Sequence, residues 1–211
     1  MSTGRRVYDA TLRRDRARVS QRRIVEAARA LLLEQGYAAT TMTAVANAAG
    51  VSVETIYKTV GGKAALVKAV WDITLVGDDE PVPLAQRPEF AAIYAEPDPR
   101  QKIARFVALG TVLEQRLAPL WTIVDQGASA GNDELQQLRA TIERERLAGA
   151  ERIVTQLDGF LRDDLDVQQA RDQVWTLISP EVRRLLVDGR GWSIEEYETW
   201  VSGVLMGMVR P

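Results

Sequence analysis

Residues 40–63, TTMTAVANAAGVSVETIYKTVGGK, read as two short helices joined by a tight turn. Thr41 is placed to N-cap the first, whose apolar positions Met42, Val45, Ala46 and Ala49 recur at i, i+3, i+4 and i+7 and so share one buried face. Gly50 then stops it, because glycine accepts positive φ at no steric cost, and Ser52 can accept from the free amides opening a second helix. That helix runs from Val53 to about Val60 and carries Glu54, Thr55, Tyr57 and Lys58. Two helices across a three- or four-residue turn form a helix-turn-helix unit, and groups of these types can meet bases and phosphates.

Working outward, residues 1–19 hold Arg5, Arg6, Arg13, Arg14, Arg16 and Arg18 with little apolar content, which predicts a mobile basic arm able to lie along phosphates or enter a minor groove. Ser20 opens a helix to about Gln35, with Ile24, Ala27, Ala28, Leu31 and Leu32 on one stripe and Gly36 as its stop. With the two helices above, this predicts a three-helix domain over residues 20–63. Lys63 heads a fourth helix carrying Leu66, Val67, Val70 and Trp71 up to about Val76.

The remaining chain, residues 64–211, reads as a second helical domain. An acidic, Pro-interrupted loop precedes a brief helix near residues 89–94, and Asp98-Pro99 then supplies a cap and a Pro at the first helical position. A long apolar stripe from Ile103 through Phe106, Leu113 and Trp121 to Val124 follows, with Pro119 expected to kink or divide it. Asn132 caps the next helix, in which Glu143 to Arg146 read as a solvated face. Asp166 with Gln169, and Ser193 with Glu196, read as capping boxes, with Pro180 expected to kink the helix between them. The final helix carries Ile194, Tyr197, Trp200, Val201, Val204, Leu205 and Met208 around much of its circumference, a pattern that calls for burial against a partner. No strand alternation stands out, so the fold class is all-α.

Composition narrows the chemistry. The 211 residues include neither Cys nor His, which excludes disulfides, thiolate nucleophiles, most hydrolytic triads and most zinc sites. No apolar run is long enough to span a membrane and the Arg-rich start is no secretory signal, so a cytoplasmic protein without membrane partners, cofactor or metal is expected. The net charge of −2 divides into +6 through Lys63 and −8 beyond it. A basic head on an acidic body implies that only the N-terminal part approaches a polyanion.

Residues 22–70 resemble the TetR family of transcriptional regulators. The resemblance rests on the apolar pattern of the first helix, Gly36-Tyr37, Thr40-Thr41, the Ala49 to Ser52 turn, Ile56-Tyr57 and Lys63. Val60 stands where the family often has an aromatic residue, and Val53 and Glu54 where it often has Lys or Arg. The resemblance implies an Ω-shaped homodimer on a palindromic operator in double-stranded DNA, with N-terminal domains in successive major grooves. It also implies a C-terminal domain that binds a small-molecule effector and dimerises through its last two long helices. Repression, released by that effector, is the expected mode.

Within the head, Ser52, Val53, Glu54 and Thr55 are the candidate base readers, while Thr41, Tyr57, Lys58 and Lys63 are the candidate phosphate grips. Glu54 can accept from a cytosine amino group or simply compensate the helix dipole, and Tyr57 can face DNA or cover the small core. Trp71, Phe106, Leu113, Trp121, Asp125 and Trp175 are the candidate effector-binding residues, their alternative being ordinary core. No catalytic residue is assigned, since Glu114, Arg116 and Asp125 form no catalytic spacing. The competing reading is a helical small-molecule-binding or protein-interaction module without DNA binding.

Overall fold

The computed structural model describes residues 3–78, 80 and 82–210, with side chains described from Ala17 onward. Ten α-helices account for the described fold: α1 (Thr3–Ala39), α2 (Met42–Ala49), α3 (Val53–Thr59), α4 (Lys63–Val76), α5 (Pro88–Ala95), α6 (Pro99–Ser129), α7 (Asp133–Thr155), α8 (Val167–Leu177), α9 (Pro180–Arg183) and α10 (Ile194–Met206). The described residues contain no named strand, only an isolated bridge between Leu161 and Val209. None of their helices is long and apolar enough to cross a membrane.

The chain divides into two compact units, Met1–Glu80 with Pro119–Leu138, and Pro81–Ala118 with Arg139–Pro211. The division falls inside α6 and α7, so the unit holding the helix-turn-helix extends past residue 63 to include all of α4 and the α6–α7 turn. In this first unit α1 packs on α2, α3 and α4, burying Ile24, Ala28, Leu32, Val45, Ala46, Ala49, Ile56, Leu66, Val67 and Val70. Those are the stripe positions that the 3.6-residue period selects. In the second unit Ile103, Phe106, Val107, Ile153, Val154, Leu157, Val174, Tyr197, Val201 and Leu205 belong to one buried cluster.

Helix α1 begins at Thr3 rather than near Ser20, so the segment read as an arm is helical. Its Arg, Ala and Leu residues are strong helix formers, and neither Gly nor Pro interrupts residues 5–35. The side chains of Arg5, Arg6, Arg13, Arg14 and Arg16 lie outside the described residues. Gly36, at φ 77°, breaks the helical geometry where the sequence sets the stop.

Pro119 does not divide α6, which continues through it to Ser129; a proline removes one helical donor, and the flanking turns hold the rest. Pro180 does more than kink its helix. As the residue before a proline, Ser179 is extended (φ −81°, ψ 146°), so α8 ends at Leu177 and Ser179 N-caps a new helix by accepting from the Val182 amide. Beyond α9 a π-helical turn spans Arg184–Asp188. Its i→i+5 bonding shifts the helical register, and Leu185 is 62% exposed. Both capping boxes are present, as are the Asp98 and Asn132 caps.

Candidate nucleic-acid interface

The helix-turn-helix is fixed at each of its corners. Thr41 Oγ1 accepts from the Ala44 amide at 3.0 Å, opening α2, and Gly50 closes it at φ 64°. Ser52 Oγ accepts from the Thr55 amide at 3.1 Å, opening α3. Each such cap contributes about 1 kcal/mol, so the orientation of α3 is set locally as well as by packing.

Helix α3 enters the core through Ile56 alone, which leaves the other side chains for contact with a ligand surface. Tyr57 is 55% exposed, so it does not cover the core, and Lys58 and Glu54 are exposed beside it. Ser52 and Thr55 share a hydroxyl contact of 2.8 Å, and Val53 is half-buried. An exposed short helix capped by Ser52 and carrying a phenol, an ammonium and short polar groups can present hydrogen-bonding groups to base edges and phosphates at once.

Lys63, a candidate phosphate grip, has partners within the fold. Its Nζ sits 4.1 Å from the centre of the Tyr37 ring and donates to the Ala38 carbonyl at 3.4 Å. Burial lowers its pKa against the pull of Glu134. Tyr37 in turn donates to Glu134 Oε2 at 2.8 Å, and burial, then that hydrogen bond and charge, push the phenol's pKa up.

Arg23 on α1 belongs to this surface and escapes sequence reasoning. A Cβ built on Gly50 would lie 2.7 Å from Arg23 Nη2, so the guanidinium rests over the turn between α2 and α3. Its only sequence signal is membership of an Arg22-Arg23 pair, which says nothing about the turn it reaches.

The six candidate effector residues do not fall in one unit. Trp71 and Trp121 are buried in the first, their rings 6.1 Å apart and inclined at 57°, and Asp125 belongs to the same unit. Phe106, Leu113 and Trp175 belong to the second, Phe106 as core and Trp175 half-buried. None of the six lines the open recess of about 420 Å³ at the start of α10, which is bounded by Trp192, Ser193, Glu195, Glu196, Thr199 and Trp200.

Arg146 corrects the solvated-face reading of α7. It donates to Glu143 at 2.7 Å and to the carbonyls of Trp175 and Ile178, both at 3.2 Å, and its guanidinium lies 5.7 Å from the Trp175 ring centre. Among the described residues no group of three or more Asp or Glu side chains is arranged to hold a metal ion.

Residues 24–70 match the family described as bacterial regulatory proteins, tetR family. No curated protein matches the chain by sequence. Among solved structures, the regulator FadR from Bacillus subtilis in complex with stearoyl-CoA is 21% identical, with a TM-score of 0.66 over 89% of this chain and 98% of that one. NalD, the secondary repressor of the MexAB-OprM multidrug efflux pump in Pseudomonas aeruginosa, is 19% identical, with a TM-score of 0.65 over 92% and 98%. The fatty acid degradation regulator FadR from Bacillus halodurans is 19% identical, with a TM-score of 0.65 over 89% and 95%. At such identities the likeness is one of fold.

Proposed function

We propose that this chain, a transcriptional regulator of the tetR family by its DNA-reading domain and its fold, works in the cytoplasm as a homodimeric repressor released from a palindromic operator by a small molecule. The observation that carries the reading is α3, held by Ile56 and by caps at both ends of the turn before it, with Glu54, Tyr57 and Lys58 exposed. Tyr57, Lys58, Thr41 and Arg23 are assigned to phosphates, and Ser52, Val53, Glu54 and Thr55 to base edges. Lys63 acts first as a strut under Tyr37.

A single head makes few phosphate contacts, so affinity requires two heads with half-sites about one helical turn apart. An apolar face on the second unit supports pairing: Leu185, Trp200 and Val204 are 62%, 36% and 42% exposed, while Trp192 stacks edge-on to Trp200 at 6.0 Å. Large apolar side chains gathered on the last helices are what a self-complementary interface buries. Ligand control is supported by relatives of this fold solved with small molecules, stearoyl-CoA in one and triclosan in another.

Selection of bound sequences from random duplexes, followed by titration over a salt series, tests the reading. A palindromic consensus with a steep salt dependence is expected. Binding that is indifferent to sequence, or absent at low salt, overturns it.

A further inference from the structure

The second unit holds a set of buried polar atoms that the fold leaves unmatched. Glu114 Oε1 and Arg183 Nε have no hydrogen-bond partner, and neither has Trp175 Nε1. Those same two atoms, Glu114 Oε1 and Arg183 Nε, lie 3.5 Å apart, and Arg183 Nη1 lies 3.6 Å from Asp188; only 11% and 12% of the Glu114 and Arg183 side-chain surfaces are exposed. Arg146, the other cation here, is already spent on Glu143 and two carbonyls.

Leaving such atoms without partners costs on the order of 1–3 kcal/mol each, which stability alone does not justify. There is also room beside them. Gly110 lies one turn before Glu114 on α6, and Gly149 one turn after Arg146 on α7. Both are half-buried, and a Cβ built on either meets nothing within 4 Å. Half-buried glycines facing open space one turn from a charged group describe a recess with a polar end. Leu113, Val182 and Leu186, each half-buried, offer apolar surface from α6, α9 and the π turn.

We propose that the Glu114, Arg183 and Trp175 cluster is the polar end of the effector site, and that it takes the carboxylate of a small organic acid with an apolar body. The proposal rests on the ligand-responsive reading above and names the ligand's chemical class. Two donors lack a hydrogen-bonded acceptor, the Trp175 indole N–H and the Arg183 Nε–H, which has the Glu114 oxygen only at 3.5 Å, and a carboxylate supplies two oxygens. An ammonium group would instead meet Arg183 and Arg146, whose neighbouring carboxylates Asp188 and Glu143 are already paired with them.

Glu114 must then carry a proton, so that it donates to the incoming carboxylate rather than repelling it. Burial pushes its carboxyl up to about 8 against the pull of Arg183 and Arg146, with Glu181 and Asp188 adding to the rise. Glu143 faces the cluster from α7, bound to Arg146, and Tyr197 faces it from α10 with its phenol donated to the Leu177 carbonyl. Above pH 8, binding takes up one proton onto Glu114 and weakens as pH rises.

The test is calorimetry and thermal shift on the full chain with octanoate, octanamide and octylamine at pH 7 and pH 9. Octanoate alone should bind at pH 7, and about tenfold more weakly at pH 9. Glu114→Gln should keep binding at pH 7 and abolish the pH dependence. Arg183→Gln should lose about tenfold or more, and Gly110→Leu should block the recess even if Arg183→Gln fails to fold. Equal binding of all three compounds, no binding of octanoate, or unchanged octanoate binding in both blocked variants overturns the proposal. Binding is read without DNA, so failure of the operator reading leaves these outcomes separate.

Discussion

Tyr37 donates its phenol proton to Glu134 at 2.8 Å, tying the residue after the α1 break to the first turn of α7 across 97 positions of sequence. The ring beneath that bond carries Lys63 on its face. One aromatic side chain thus joins α1, α4 and α7 within the first unit. Tyr37→Phe should destabilise the protein by about 0.5–1 kcal/mol, the net worth of an accessible hydrogen bond to a charged acceptor. In a spectrophotometric titration the Tyr37 phenol should ionise well above its ordinary value. A raised pKa favours the protonated form in the fold, so this contribution is present at neutral pH and lost as pH climbs past the unfolded value near 10.

Lys58 and Lys63 should separate on mutation. Lys58→Ala is expected to weaken all DNA sequences alike and to reduce the salt slope by about one, with thermal stability unchanged. Lys63→Ala should cost about 0.5–1 kcal/mol of stability through the lost cation–π contact. Salt-series binding and melting curves on both variants check this, and a Lys58→Ala protein with an unaltered slope rejects its phosphate role.

Two glycines should resist alanine for different reasons. Gly50 adopts φ 64° and faces Arg23 Nη2, so Gly50→Ala should cost about 1–2 kcal/mol through left-handed strain, with the flexible arginine stepping aside. At Gly127 an added Cβ would lie 2.1 Å from Leu135 Cδ1. Gly127→Ala forces the α6–α7 turn to repack, at about 1–3 kcal/mol. Denaturant midpoints measure both.

Trp200→Glu should shift the protein toward monomer in sedimentation and weaken operator binding, while leaving the helical signal in circular dichroism intact. A dimer unaffected by this charge would remove Trp200, Val204 and Leu185 from the interface.

Glu114 gives the stability curve a slope. Because its folded pKa is raised to about 8, the native state binds more protons than the unfolded state from roughly pH 4.5 upward, and stability falls until about pH 8. Glu114→Gln should flatten that fall, gaining on the order of 1 kcal/mol at pH 8 and nothing at pH 4. Melting temperatures across that range decide it.

The caps at Thr41, Ser52, Asp166 and Ser193, the stop at Gly36 and the stripe on α1 were legible because each depends on neighbours within about one or two helical turns. Pro180 was legible as an interruption, yet whether a helix bends or restarts depends on what Ser179 can cap. Pro119, an interruption by the same rule, is absorbed inside α6.

By itself, the sequence determined the all-α class, the helix-turn-helix and its turn chemistry, because helical period, capping and glycine conformation are local properties of the chain. Only the tertiary structure decided that Lys63 lies on Tyr37, that Arg23 reaches the Gly50 turn, that the candidate aromatics divide between two units, and that Glu114 meets Arg183. Those pairings join residues far apart in sequence, and burial, which sets their charge states, exists only once the helices have packed.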